Sequence, residues 1–274
     1  MKRIIVPTDF TETSWNATVH ALAYCSMFNA ELLLVHIYDS ASNDSDTNIS
    51  TIVDSLVIEE ERMKTLVAKV KTIKTFIPSS VKSKCIGGDI TKSIAGILGD
   101  SGDDFLIIST QGRKGTLGKI FGSTASRLIR DIDCPILLIP KGFKFSLHTP
   151  TICTIDRGTI IQKDDLAVLE KMVQIRSSAN FTMINVVTDA NESKENFSLN
   201  QFKNLNVCFD KVIGADVPTL LEQYSRMIKS RLLVVVKKEK NFLERLFHDN
   251  VLDQLTLNAN IPLLVLRADK SNCN

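Results

Sequence analysis

Four short segments in the second half of the chain repeat segments of the first, and this duplication constrains the fold more than any other feature. Residues 151–156 (TICTID) echo the run from Arg3 to Asp9, and residues 180–189 (NFTMINVVTD) echo residues 30–39 (AELLLVHIYD). Gly214-Ala-Asp-Val217 echoes Gly87-Gly-Asp-Ile90, and residues 262–266 (PLLVL) echo residues 135–139 (PILLI). Asp9 and Asp156 stand 147 positions apart and Asp39 and Asp189 stand 150 apart, whereas the Asp89/Asp216 and Pro135/Pro262 pairs are both separated by 127. The second copy therefore lacks about 23 residues between its second and third segments. Units this long do not stack as a solenoid. They are a duplicated domain, and 274 residues hold two domains of ordinary size.

Within the first copy, β-branched runs alternate with segments of helical period. Residues 3–6 form a short apolar strand that ends on Pro7-Thr8-Asp9, and Ala17, Ala21, Tyr24, Cys25 and Phe28 then recur at helical spacing. Residues 31–37 are apolar almost throughout, as a strand covered on both faces should be. A polar stretch (40–50) precedes a long helix with Met63, Leu66, Val70, Ile73 and Ile77 on one side. Residues 81–86, 104–109 and 135–139 read as further strands; Ile90, Ile94, Ile97 and Leu98 mark one intervening helix, and another begins near Ser123. This alternation implies right-handed crossovers and a mainly parallel sheet in an α/β fold. Ligands of such sheets bind at the carboxyl ends of the strands, where the strand order reverses. Glycine and flanking prolines interrupt the pattern at residues 140–150, so the expected domains are 1–143 and 149–274.

Composition removes several function classes. A net charge of +2 offers no electrostatic case for nucleic acid or an anionic membrane, and no apolar run is long enough to span a bilayer. Only three apolar residues separate Met1-Lys2-Arg3 from Pro7, too few for a secretory signal, and the expectation is a cytoplasmic protein. The six cysteines are scattered without a CxxC pair, and His20, His36, His148 and His248 show no metal-ligand spacing. These side chains read as core fillers and satisfied polar groups, and the expectation is no metal site and no catalytic residue.

The chemistry concentrates after the fourth strand, where Gly112, Gly115, Gly118 and Gly122 fall in one short loop that also carries Arg113, Lys114 and Lys119. Closely spaced glycines let the backbone approach a ligand and expose successive N–H groups. Ser123 is a candidate cap of the next helix, so phosphate oxygens could meet backbone donors, a hydroxyl and a helix N-terminus together. This is not a Walker loop: five residues separate Gly112 from Gly118, and Ile120 follows Lys119 where a Mg²⁺-binding hydroxyl is required. The loop after the first strand has no glycine, which excludes a dinucleotide fingerprint.

The chain resembles the universal stress protein family, whose signature is Gly-x2-Gly, nine residues, then Gly-Ser/Thr. Here the run reads Ser109-x2-Gly112, nine residues, Gly122-Ser123, with serine at the first glycine position. The opening Ile4-Ile-Val-Pro-Thr-Asp9 and the Leu34-Val-His-Ile37 strand are also similar to the family. The resemblance covers both halves, the second more weakly.

The resemblance implies two tandem Rossmann-like domains of the adenine nucleotide alpha hydrolase-like kind, each with a five-stranded mainly parallel sheet. It implies ATP or another adenine nucleotide in the first domain, with Mg²⁺ as an optional companion. Pro7, Thr8, Asp9 and the Ile37 backbone would hold the nucleoside. Ser109, Gly112, Arg113, Gly122, Ser123 and Thr124 would lie along the ribose and phosphates, with Ser109 weakening binding if the glycine it replaces needs positive φ or touches the ligand. The second copy has no glycine between residues 236 and 250, Asp249 stands where the first has Gly122, and Thr154 replaces Pro7. No nucleotide is expected there. Pairing of the two last strands, residues 135–139 with 262–266, would make the chain a pseudo-dimer, with a homodimer as a further option. The implied role is regulatory and not enzymatic, with slow ATP hydrolysis left open. The other reading is a nucleotide-free stress-related interaction protein.

Overall fold

The computed structural model describes residues 1–38, 49–99, 103–110, 123–146, 150–155, 158–174, 181–187, 199–213, 217–230, 232–237 and 261–269. The chain divides into two compact units, Met1–Ser109 and Thr110–Asn274.

The first unit carries β1 (Arg3–Pro7), α1 (Glu12–Phe28), β2 (Glu31–Tyr38), α2 (Ile49–Thr72), β3 (Ser80–Gly87), α3 (Ile90–Ile97) and β4 (Asp104–Thr110). Its strands lie in the order β3-β2-β1-β4, each pair parallel. The chain thus steps from β1 through β2 to β3 on one side, then returns to the other side of β1 with β4. The order reverses between β1 and β4. A bidentate pair fixes their starting register, since Arg3 donates from Nε and Nη2 to both Asp104 oxygens at 2.7 Å, and Arg3 faces Asp104 in the ladder. Ile4, Ile5 and Val6 and the run Leu32–Val35 are fully buried, as strands covered on both faces require.

Helix α1 buries Ala17, Ala21, Tyr24, Cys25 and Phe28, the stripe expected from its period. It ends on Asn29 in the left-handed conformation (φ 52°), whose N–H reaches Cys25 O. Helix α2 is shorter than its pattern suggested: it stops at Thr72, so Ile77 is not on its buried side and is 70% exposed. Pro78 bars the helix from running through Ile77, because a proline drives the residue before it out of the helical region. Met63, Leu66 and Val70 are buried as expected.

The second unit carries α4 (Ser123–Asp131), β5 (Ile136–Pro140), β6 (Thr151–Thr154), α5 (Lys163–Gln174), β7 (Phe181–Val187), β8 (Val207–Ile213), α6 (Val217–Met227), β9 (Leu232–Lys237) and β10 (Leu263–Arg267). Its strand order is β5-β10-β9-β6-β7-β8. All neighbours are parallel except β5 and β10, which run antiparallel with Leu138 opposite Leu263, Leu137 opposite Leu264 and Ile136 opposite Val265. Between β7 and β8 the only described element is one 3-10 turn, Leu199–Phe202, where the first half has the 24-residue α2. That is where the offsets place the missing residues. The strand that sequence assigns to the end of the first domain thus joins the ladder of the second unit, and compactness divides the chain earlier than the turn at Lys141-Gly142.

The five cysteines among the described residues form no disulfide. Burial raises the thiols of Cys25 and Cys153, the latter to about 12, which keeps both protonated as small core fillers. Among the described residues no helix is long and apolar enough to cross a membrane, and no cluster of three His, Cys, Asp or Glu could hold a metal ion.

Candidate functional site

The loop from β1 into α1 lies at the carboxyl end of the sheet, beside the point of strand reversal. Its shape is fixed by its own hydroxyls. Thr11 caps α1, its side chain accepting from Ser14 N at 3.3 Å. Asp9 Oδ1 accepts from both the Thr11 N–H (3.1 Å) and the Thr11 hydroxyl (2.6 Å), an Asx turn that holds the carboxylate at the helix entrance. Thr8, buried, accepts from Phe10 N at 3.1 Å and donates to Ser14 Oγ at 3.2 Å. Partial burial pushes the Asp9 carboxyl up, but the hydrogen bonds from Thr11 and Ser14 and from backbone N–H groups outweigh it and hold it below its ordinary value. An exposed carboxylate, ionised and fixed in direction, can accept hydroxyl or amine donors.

Phe10 has φ 63°, a left-handed conformation costly for an aromatic residue. Three contacts hold it there. Its ring packs on His36 at 4.4 Å, the Arg62 guanidinium lies 4.4 Å over its face, and its N–H is taken by Thr8. His36 is the hub: Nδ1 donates to Thr8 O at 2.8 Å, and Nε2 lies 3.3 Å from Glu59, which also pairs with Arg62 at 3.0 Å. Helix α2 is thereby tied through strand β2 to the loop that carries Asp9.

The Ile37 backbone presents its polar edge on the side of β2 that faces β1. Thr8 N donates to Val35 O, so Val35 turns its polar backbone edge toward β1, while Tyr38 O turns toward β3 and accepts from Gly88 N. Strand alternation gives Ile37 the orientation of Val35, and β1 has ended by that level, with Pro7 opposite Val35. A planar ring with a donor and an acceptor on one edge can continue the ladder there.

Pro7, Thr8, Asp9, Ile37 and Ser109 all stand at carboxyl ends of the first unit's strands, at the ends of β1, β2 and β4. Ser109 is half-buried within β4, and among the described non-glycine residues only Phe10, Asn29 and Lys229 have positive φ. The serine costs no backbone strain. Ser123 opens α4, as anticipated, and Thr124 in its first turn is exposed. Gly112, Arg113 and Gly122 lie outside the described residues, as does the second-half loop from 238 to 260. Thr11, Ser14, Phe10, Glu59 and Arg62 were not singled out from sequence. The Thr11–Ser14 spacing of a helix cap was the one signal available for the first pair; nothing local marks the others.

A family model, the universal stress protein family, matches residues 1–140. The chain belongs to the universal stress protein family. Two curated relatives come from Methanocaldococcus jannaschii. Universal stress protein MJ0531 is 26% identical over 141 residues, covering 51% of this chain and 82% of the relative. Universal stress protein MJ0577 is 23% identical over 156 residues, covering 51% of this chain and 95% of the relative. The crystal structure of a universal stress protein from Archaeoglobus fulgidus aligns over 97% of this chain and 98% of its own, with TM-score 0.71 and 15% identity. That alignment shows a shared fold over both halves of the chain.

Proposed function

We propose that this universal stress protein binds an adenine nucleotide, ATP in the first instance, through its first half and acts as a regulator rather than an enzyme. The observation that carries the reading is the Asp9 loop: an ionised carboxylate, locked by Thr11 at the strand-order reversal, beside a strand edge at Ile37 suited to a purine. Pro7, Thr8 and Asp9 hold the nucleoside in this account, and Ile37 pairs with the base. Ser109, Gly112, Arg113, Gly122, Ser123 and Thr124 carry the ribose and phosphates, as the signature implies. Mg²⁺, when present, travels on the triphosphate. None of the described residues is offered as a general base, so binding is assigned and turnover is not.

The second half, with Asp249 at the phosphate position and no loop glycine, serves as a covalent partner. The antiparallel β5–β10 ladder supports this reading, because it joins the last strands of the two copies and removes two open sheet edges. The domain limits 1–143 and 149–274 remain those of the repeat.

A bound ligand stabilises the native state by mass action, so thermal denaturation with and without ATP tests the reading. Wild-type protein should melt higher with millimolar ATP, while Asp9→Ala and Gly122→Asp should each melt at the same temperature with ATP as without it. An equal absence of shift in all three would favour the nucleotide-free interaction protein.

A further inference from the structure

His36 holds the chain on both sides of Asp9. Before it, the carbonyl of Thr8, part of the peptide bond that joins Thr8 to Asp9, accepts from His36 Nδ1 at 2.8 Å. After it, the ring of Phe10 packs on the imidazole with centroids 4.4 Å apart. Phe10 has a left-handed backbone (φ 63°), and a residue so strained keeps its conformation only where its surroundings fix it. The imidazole is itself fixed. It is buried near the end of β2, and its Nε2 faces Glu59 Oε2 at 3.3 Å. Glu59 pairs in turn with Arg62, whose guanidinium lies over the Phe10 ring. All of these residues belong to the first unit.

The chain itself completes the arrangement. His36 immediately precedes Ile37, whose backbone edge faces the β1 side beyond Pro7. One buried side chain therefore stands at the junction of the two groups assigned to the nucleoside. Its backbone continues into the strand edge, and its ring grips the residues that flank the carboxylate. A ligand that needs both groups binds more tightly when their separation is fixed before it arrives.

We infer that His36 is a positioning residue for nucleoside recognition: by holding Thr8 O and the Phe10 ring, it sets the Asp9 carboxylate at a fixed place relative to the Ile37 edge. The inference rests on the proposed function, in which Asp9 and Ile37 receive the nucleoside. A histidine that merely filled the core would contribute to stability and leave affinity alone.

The test is calorimetric titration of the full chain with ATP, for wild type, His36→Leu, His36→Gln and His36→Asn. An asparagine amide nitrogen stands near the place of Nδ1 and keeps the donor to Thr8 O, whereas a glutamine nitrogen reaches toward the place of Nε2 and does not. His36→Leu should weaken ATP about two- to tenfold, the range of one lost hydrogen bond. His36→Gln should show the same loss, and His36→Asn should regain most of it. If His36→Leu does not fold, the contrast between His36→Gln and His36→Asn carries the test. Unchanged ATP affinity in His36→Leu or His36→Gln, or equal affinities in His36→Gln and His36→Asn, would overturn the inference while leaving the proposed function standing. A wild-type protein silent to ATP would remove the proposed function itself, and the inference with it.

Discussion

Ser109 occupies the first glycine position of the family signature, yet its backbone is that of an ordinary strand residue in β4. Ser109→Gly should therefore leave ATP affinity within about threefold and lower stability by about 0.5–1 kcal/mol through the greater freedom of the unfolded chain. A gain in affinity of tenfold or more would mean that the side chain obstructs the ligand. His20 offers a second residue-scale prediction. Burial depresses its imidazole below the ordinary value of 6.5, against the bond from Nδ1 to Asn16 O. The unfolded chain takes up a proton as pH falls through 6.5 and the folded chain resists it. Stability is then full above that value and declines below it, by at most about 1.4 kcal/mol per pH unit. Urea denaturation at about pH 7.5 and about pH 5.5 should show this loss in wild type and a smaller one in His20→Leu; equal losses would contradict it. At this scale the sequence revealed Asp9 through its motif but not Phe10 or His36 as parts of one unit. Their roles come from a left-handed turn and from contacts with Glu59 and Arg62, which sit on another helix and leave no periodic trace.

The elements were the most legible level, because each is signalled by local pattern. The buried stripe of α1 and the apolar runs of β1, β2, β4 and β5 follow directly from spacing and composition. The misjudged boundary was the end of α2, where the apolar spacing of Ile73 and Ile77 continues past Thr72, the last residue of the helix. The start of α1 also bears on the proposed site, since Thr11 both caps the helix and orients Asp9. Thr11→Ala should destabilise the protein by about 1 kcal/mol, and it should weaken nucleotide binding beyond that by freeing Asp9. Thr11→Ser should restore both. Loss of stability with unchanged ATP affinity would separate the cap from the site.

For the whole molecule, the duplication was readable from four echoes and two offsets, and the shortened β7–β8 connection agrees with the residues they report missing. The compact division after β4 was not readable, because it depends on which strands meet, and the β5–β10 ladder joins segments separated by more than a hundred residues. That ladder buries Ile136, Leu137 and Leu138 against Leu263, Leu264 and Val265. Cleavage by trypsin at Lys144 should therefore leave the two fragments associated on size-exclusion chromatography, and separation under native conditions would remove the pseudo-dimer. The central claim is one adenine-nucleotide site, in the first half alone. Calorimetric titration of the intact chain with ATP counts such sites directly. The account predicts one ATP per chain, lost in Asp9→Ala; two sites per chain, or no binding at millimolar ATP, would contradict it.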